Sequence, residues 1–207
     1  MNSNRPPALI LAGGKSSRMG SDKLLLPFGK GTLLAHIAER LAPQVSEISV
    51  NAAASLPLPA GFRRLSDTLP GQPGPLAGVL AGLRDIARRL PSATHLLTVP
   101  SDAPFFPLNL VARLQTAVSG LDMIAVASSN GRAHPVFGLW PVTAADDLEA
   151  WLAIPENRRL SAFLARHPAV AVHWPFMETA VGDLDPFMNL NTPAELEAAR
   201  RFLKVLP

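Results

Sequence analysis

Five apolar residues, Ala8-Leu9-Ile10-Leu11-Ala12, run straight into the pair Gly13-Gly14, and this junction narrows the fold more than any other part of the chain. An apolar run without alternation suits a strand buried on both faces, the kind found in parallel sheets. Two glycines at its end permit a tight turn and let a ligand approach the backbone. The N–H groups of such a turn form a nest for anions. Lys15, Arg18 and Lys23 follow within a few residues. Strand, bare turn and nearby cations together suit the phosphates of a nucleoside triphosphate.

The rest of the chain supplies the alternation that such a strand requires. Strand-like segments at 47–52, 62–65, 94–99, 122–128, 133–140 and 169–174 alternate with helical spacing at 32–41, 108–118, 144–152 and 160–166, and in the stretch after Pro75. That last helix places Leu76, Val79, Leu80, Leu83 and Ile86 inside and Arg84, Asp85, Arg88 and Arg89 outside. Gly78 and Gly82 weaken it but share one face, which permits close packing on a sheet. Thr192, Pro193 and Glu195 form a capping box that opens a final helix over 194–205. The predicted fold is α/β, three layers α/β/α around a mainly parallel, Rossmann-like sheet, with right-handed crossovers. Nothing in the 207 residues divides the chain, so one domain, 1–207, is expected.

Several classes are excluded. Gly14-Lys15-Ser16 looks like the tail of a P-loop, but that motif needs glycine where Leu9 stands, and no G-x-G-x-x-G follows the first strand. Cysteine is absent, so disulfides and thiolate metal sites are out. No apolar run reaches the ~20 residues of a membrane helix, and residues 1–7 lack the apolar segment of a secretory signal. A cytoplasmic protein with no membrane contact is expected. The net charge of +3 is spread along the chain and tyrosine is absent, which argues against a nucleic-acid surface.

In open α/β sheets ligands bind beyond the carboxyl ends of the strands. The glycine loop, Asn51, Asp67 and Asp102 all fall at such ends. Asp102, between two prolines in Pro100-Ser101-Asp102-Ala103-Pro104, suits Mg²⁺, which takes one or two carboxylates and completes its shell with water and phosphate; a turn-capping role is the alternative. Lys23 suits contact with a triphosphate, or is an exposed lysine before Leu24-Leu25-Leu26. Arg18 suits a bidentate phosphate clamp, or is a surface cation. Asn51 and Asp67 suit base and ribose recognition by hydrogen bonds; they also fit an ordinary strand end and turn.

Leu11-Ala12-Gly13-Gly14-x-Ser16-x-Arg18-Met19-Gly20-x-Asp22-Lys23 resembles the signature loop of nucleotidyltransferases of the sugar-nucleotide and molybdenum-cofactor type. Gly74-Pro75-Leu76-Ala77-Gly78 and the Asp102 loop are similar to further segments of the molybdenum cofactor guanylyltransferase family. The resemblance implies a fold of the nucleotide-diphospho-sugar transferase type. It also implies transfer of GMP from GTP to molybdenum-molybdopterin, with Mg²⁺ as cofactor and pyrophosphate as second product. It carries GTP binding onto Leu11, Ala12, Gly13, Gly14, Lys23, Asn51, Asp67 and Asp102, metal binding onto Asp102, and a catalytic role onto Arg18, Lys23 and Asp102. Roughly, 1–105 would form the GTP and magnesium half and 106–207 the pterin-acceptor half. On the acceptor side the similar segments give His134, Arg158, Arg159, Asn189 and Asn191. Transient contact with cofactor-synthesis proteins or apo-molybdoenzymes is a further implication. A cytidylyltransferase on the same cofactor, another small-acceptor nucleotidyltransferase, and a GTP-binding cofactor carrier without transfer are the competing readings.

Overall fold

The computed structural model describes residues 5–12, 23–68 and 74–206. The strands are β1 (Ala8–Leu11), β2 (Pro27–Phe28), β3 (Gly31–Thr32), β4 (Ile48–Asn51), β5 (Arg63–Leu65), β6 (His95–Pro100), β7 (Ile124–Ser129), β8 (Arg132–Pro141), β9 (Ala169–Trp174), β10 (Met177–Thr179) and β11 (Gly182–Leu184). The helices are α1 (Leu33–Leu41), α2 (Pro75–Arg89), α3 (Leu110–Ala117), α4 (Ala145–Leu152), α5 (Leu160–Leu164) and α6 (Pro193–Leu203). Seven strands form one sheet in the order β5-β4-β1-β6-β8-β7-β9. β2–β3 and β10–β11 are small separate hairpins; their strands are too short to show a readable alternation.

β1 explains the layering. All four of its residues are at most 6% exposed, and they alternate between two cores. Ala8 and Ile10 face one packed by α1, α3 and α6, through Leu34, Ile37, Leu110, Leu114 and Leu196. Leu9 and Leu11 face the other, packed by α2, α4 and α5, through Val79, Leu83, Leu148, Leu160 and Phe163. Burying each such side chain contributes roughly 1.5–3 kcal/mol. The three-layer expectation is therefore met.

The sheet is mixed, mostly parallel. β1 runs parallel to β4 and β6, β4 to β5, and β7 to β9. Only β8 runs against its neighbours. The cause is local: Asn130 and Gly131 both take positive φ, 43° and 74°. That two-residue turn matches strand twist and folds β8 straight back along β7. β8 also carries a bulge, because Val126 pairs with Gly138 but Ala127 pairs with His134. The buried Thr98 hydroxyl holds the bulge, donating to the Val136 carbonyl at 2.7 Å and accepting from Trp140 Nε1 at 2.9 Å.

α2 lies close on the sheet through its glycines, as their spacing predicts. A Cβ on Gly82 would stand 2.5 Å from Leu96 Cδ2 and 2.8 Å from Leu9 Cδ2. One expectation for this helix fails. Asp85 is buried at 3% exposure rather than turned outward. Its carboxylate accepts from Arg63 Nη1 of β5 at 2.7 Å and from Arg89 Nε, one turn on, at 3.0 Å, and Arg89 continues to Glu47. The charge is tolerated inside because two guanidiniums satisfy it. The predicted final helix is present, with the Thr192–Glu195 capping box formed. No helix among the described residues is long and apolar enough to cross a membrane.

Burial alone would raise the Asp85 pKa, but hydrogen bonds from Arg63 and Arg89 outweigh it and hold the carboxyl below its ordinary value of 3.8. An unfolded chain thus binds this proton more readily, so the stabilisation is complete above the ordinary value and fades as pH falls through the lowered one. Asp85→Asn is expected to cost about 2 kcal/mol near neutral pH, below the figure for a fully buried pair because both arginines are partly hydrated. Denaturant melts at falling pH should show the two proteins converging below about pH 4. A constant gap down to acid pH would show that the ion pair is not its source.

Candidate functional site

The parallel register lines up the carboxyl ends of four strands. Leu11 pairs with Asn51 on one side and Pro100 on the other, and Asn51 pairs with Leu65. Backbone bonds extend the row past the strands: Ala12 N donates to Asn51 O at 2.9 Å, Ala52 N to Leu65 O at 3.1 Å, and Ser101 N to Leu11 O at 3.2 Å. Leu11, Ala12, Asn51, Asp67 and Asp102 are therefore brought to one edge. Gly13, Gly14, Lys15 and Arg18 lie outside the described residues. Lys23 opens the short turn Lys23–Leu25, and its side chain lies outside the description as well.

Asn51 does something other than present a free amide. Its Nδ2 donates to Asp67 Oδ1 at 2.8 Å and to Leu65 O at 3.1 Å. Both amide protons are spent within the protein, so Asn51 orients the half-buried Asp67 carboxylate. Gly78 makes room for this. A Cβ there would meet Asn51 Oδ1 at 2.6 Å and Leu11 Cδ2 at 2.5 Å. The first turn of α2 thus packs on the Asn51–Asp67 pair through Gly78, with Gly74 at φ 83° before Pro75.

Asp102 is half-buried just beyond β6, in a loop gripped from two sides. From the C-terminal segment, Leu190 N donates to Asp102 O at 2.8 Å. On the other side, α1 and the turn after it offer a stripe at four-residue spacing. His36 Nε2 meets Pro104 O at 3.2 Å, Arg40 bonds the carbonyls of Phe105 and Phe106, and Gln44 Nε2 donates to Pro107 O at 3.3 Å. Gln44 Oε1 also accepts from Val111 N at 3.2 Å. Burial lowers the His36 pKa, against the raising effect of the Pro104 carbonyl. With a carbonyl as partner, Nε2 is the donor. None of these three residues was picked out as functional from the sequence; the 36, 40, 44 spacing was the available signal.

Metal binding is limited in kind. Among the described residues no group of three or more His, Cys, Asp or Glu side chains could hold a metal ion. A single carboxylate at Asp102, beside the strand end that feeds the glycine loop, fits Mg²⁺ completed by substrate phosphates and water rather than an all-protein cage.

The acceptor-side candidates divide. His134 sits at the start of β8, on the same sheet edge as the end of β7, and its ring leans on Phe187 with centroids 5.0 Å apart. Its Nε2 lies 2.7 Å from Ser129 Oγ, and that hydroxyl donates to Asp185 Oδ1 at 2.9 Å. Asn189 and Asn191 are exposed on either side of Leu190, which ties them to the Asp102 loop. Asn191 N donates to Glu195 Oε2 at 2.6 Å, at the start of α6. Arg158 is otherwise employed: its Nη1 donates to the carbonyls of Leu152 and Ile154, at 3.1 and 3.3 Å, closing the end of α4. Arg159 is exposed at the cap of α5. Sequence reasoning missed Ser129 and Asp185.

A seven-stranded, mostly parallel sheet with polar groups beyond its carboxyl ends is the setting in which open α/β proteins bind nucleotides, and the family matched here makes this chain a nucleotidyltransferase. The family of MobA-like NTP transferase domains matches residues 8–171. Molybdenum cofactor guanylyltransferase of Sinorhizobium fredii is 53% identical over 99% of this chain and 95% of its own. The enzyme of the same name from Rhizobium meliloti is 52% identical over 97% and 93%. The chain belongs to the molybdenum cofactor guanylyltransferase family. Two solved structures share the fold at low identity. The molybdopterin-guanine dinucleotide biosynthesis protein A of Archaeoglobus fulgidus has a TM-score of 0.71 at 20% identity, covering 96% of this chain and 98% of that one. The 2-C-methyl-D-erythritol 4-phosphate cytidylyltransferase of Thermus thermophilus has 0.68 at 16%, covering 97% and 100%.

Gly78→Ala and Gly82→Ala separate site from scaffold. Both overpack α2 against the sheet and should cost about 1–3 kcal/mol in thermal or denaturant melts. Only Gly78→Ala pushes on Asn51, so only it should weaken GTP binding, by about tenfold, in titration calorimetry at a temperature where both variants are folded. Equal GTP affinity in the two would detach the Asn51–Asp67 pair from nucleotide binding.

Proposed function

We propose that this chain transfers GMP from GTP to the terminal phosphate of molybdenum-molybdopterin, releasing pyrophosphate and forming the guanine dinucleotide cofactor, in the cytoplasm. One observation carries the assignment of roles: Asn51, Asp67 and Asp102, far apart in the chain, stand at or just past the aligned ends of strands on both sides of β1, the strand that enters the glycine loop. Residues 1–105 form the nucleotide half in this reading, and 106–207 the acceptor half.

An oxygen of the acceptor phosphate attacks the α-phosphorus of GTP, the bond to the bridging oxygen breaks, and pyrophosphate leaves with the electron pair. A phosphate monoester is already largely dianionic near neutral pH, so the attacking oxygen needs no strong base. The protein's contribution is positioning and charge compensation. Asp67, held by Asn51, accepts from the N–H groups of guanine; a base lacking those donors leaves the carboxylate unpaired and is rejected. Lys23 and Arg18 neutralise the triphosphate, and the backbone N–H groups around Gly13 and Gly14, next to Leu11 and Ala12, orient it. Asp102 holds Mg²⁺, which when bound neutralises charge on the phosphate oxygens. His134, Asn189 and Asn191 face the acceptor. Arg159 is the better placed of the arginine pair to meet an anion, since Arg158 already caps α4. The acceptor is labile, which favours direct handover with cofactor-synthesis proteins or apo-molybdoenzymes as transient partners.

Asp102 is only half-buried, and Asp102→Ala should fold. Its release of pyrophosphate from GTP and molybdenum-molybdopterin should fall by at least about a hundredfold. Full turnover in that variant, with Mg²⁺ still required, would remove Asp102 from the mechanism.

A further inference from the structure

Ser129 and Asp185 have no part in the roles above, yet they decide how His134 presents itself. Ser129 is 1% exposed at the end of β7. Its hydroxyl has a single proton, and that proton goes to Asp185 Oδ1, 2.9 Å away. The same carboxylate oxygen accepts from Phe187 N at 2.9 Å, which fixes its place. Ser129 Oγ must therefore meet His134 Nε2 as an acceptor, at 2.7 Å. The histidine proton sits on Nε2, and Nδ1 keeps its lone pair. Nδ1 makes no hydrogen bond with any described residue. The bulge in β8 and the Phe187 ring, tilted 31° to the imidazole, hold the side chain in this pose.

The charged groups around the ring are consistent with a neutral imidazole. Burial lowers its pKa from the ordinary 6.5; Asp185 opposes and Arg132 reinforces that shift, and the net direction is down. A neutral ring with an open Nδ1 offers an acceptor only. A phosphate dianion, itself only an acceptor, gains nothing from it, whereas an N–H of a heterocycle does.

We propose that Asp185, acting through Ser129, is a positioning residue that fixes His134 as a hydrogen-bond acceptor at Nδ1 for an N–H donor on the heterocyclic head of the acceptor substrate. This rests on the acceptor-side reading of His134, and the two fail separately.

Long-range ¹H–¹⁵N correlation spectra of histidine-labelled wild-type protein, free of substrates near pH 7.5, should show the Nε2–H tautomer for His134. Steady-state kinetics should then show Ser129→Ala and Asp185→Ala raising KM for molybdenum-molybdopterin about tenfold, with KM for GTP unchanged within twofold. Asp185→Asn keeps an oxygen to accept from Ser129 and Phe187, and should restore the wild-type acceptor KM. Thermal melts establish that each variant is folded. An Nδ1–H tautomer in active wild-type enzyme overturns the inference, as does an unchanged acceptor KM in folded Ser129→Ala. Equal rises in both KM values would reduce the network to scaffold and overturn it as well. Absence of pyrophosphate release from the wild-type protein, by contrast, overturns the guanylyl-transfer reading and the acceptor role with it.

Discussion

Parallel pairing of β1 with both β4 and β6 is the constraint on which the site depends. It places Leu11 opposite Asn51 and Pro100 at once, so three chain segments leave the sheet at one level. The pairing is fixed because every residue of β1 is buried on one face or the other. A slip of one residue would exchange the two cores, turning Leu9 and Leu11 into the space of Ala8 and Ile10. Strand register, set by packing, thereby sets the spacing of polar groups that carry no packing role themselves.

The proposed transfer needs no strong base, which leaves little chemistry for side chains and much for geometry. The structure invests accordingly in holding the Asp102 loop. Its backbone is bonded by Leu190 from the C-terminal segment and by His36, Arg40 and Gln44 of α1 and the turn after it. The Leu190 bond also couples the halves of the chain. It seats Asn189 and Asn191 beside the loop, and Phe187, three residues earlier, packs on His134. The groups proposed to serve acceptor and nucleotide therefore share one backbone framework rather than two independent loops.

The layers and most elements were legible because they rest on local signals. The β1 run, the helical spacing of α1 and the Thr192–Glu195 box were read directly. What the sequence hid depends on partners distant in the chain. Asp85 reads as an outward-facing charge on a helix, and only Arg63, brought in by β5, makes it an inside residue. The reversal of β8 was signalled by Asn130-Gly131 but read only as a turn. Asn51 was expected to read base or ribose, yet its amide is spent on Leu65 and Asp67, which needs the β4–β5 pairing to see. Arg158 looks like half of an anion-binding pair until the end of α4 claims it. Ser129 and Asp185 lie 56 positions apart and carry no motif.

The central claim is that this row of strand ends binds a guanine nucleotide with magnesium. Isothermal titration of the purified protein with GTP, CTP and ATP, each with and without Mg²⁺, tests it directly. The account predicts preferential GTP binding with a heat that depends on Mg²⁺. Preference for CTP would contradict the base-reading role of Asp67, and no binding of any of the three would contradict the nucleotide site itself.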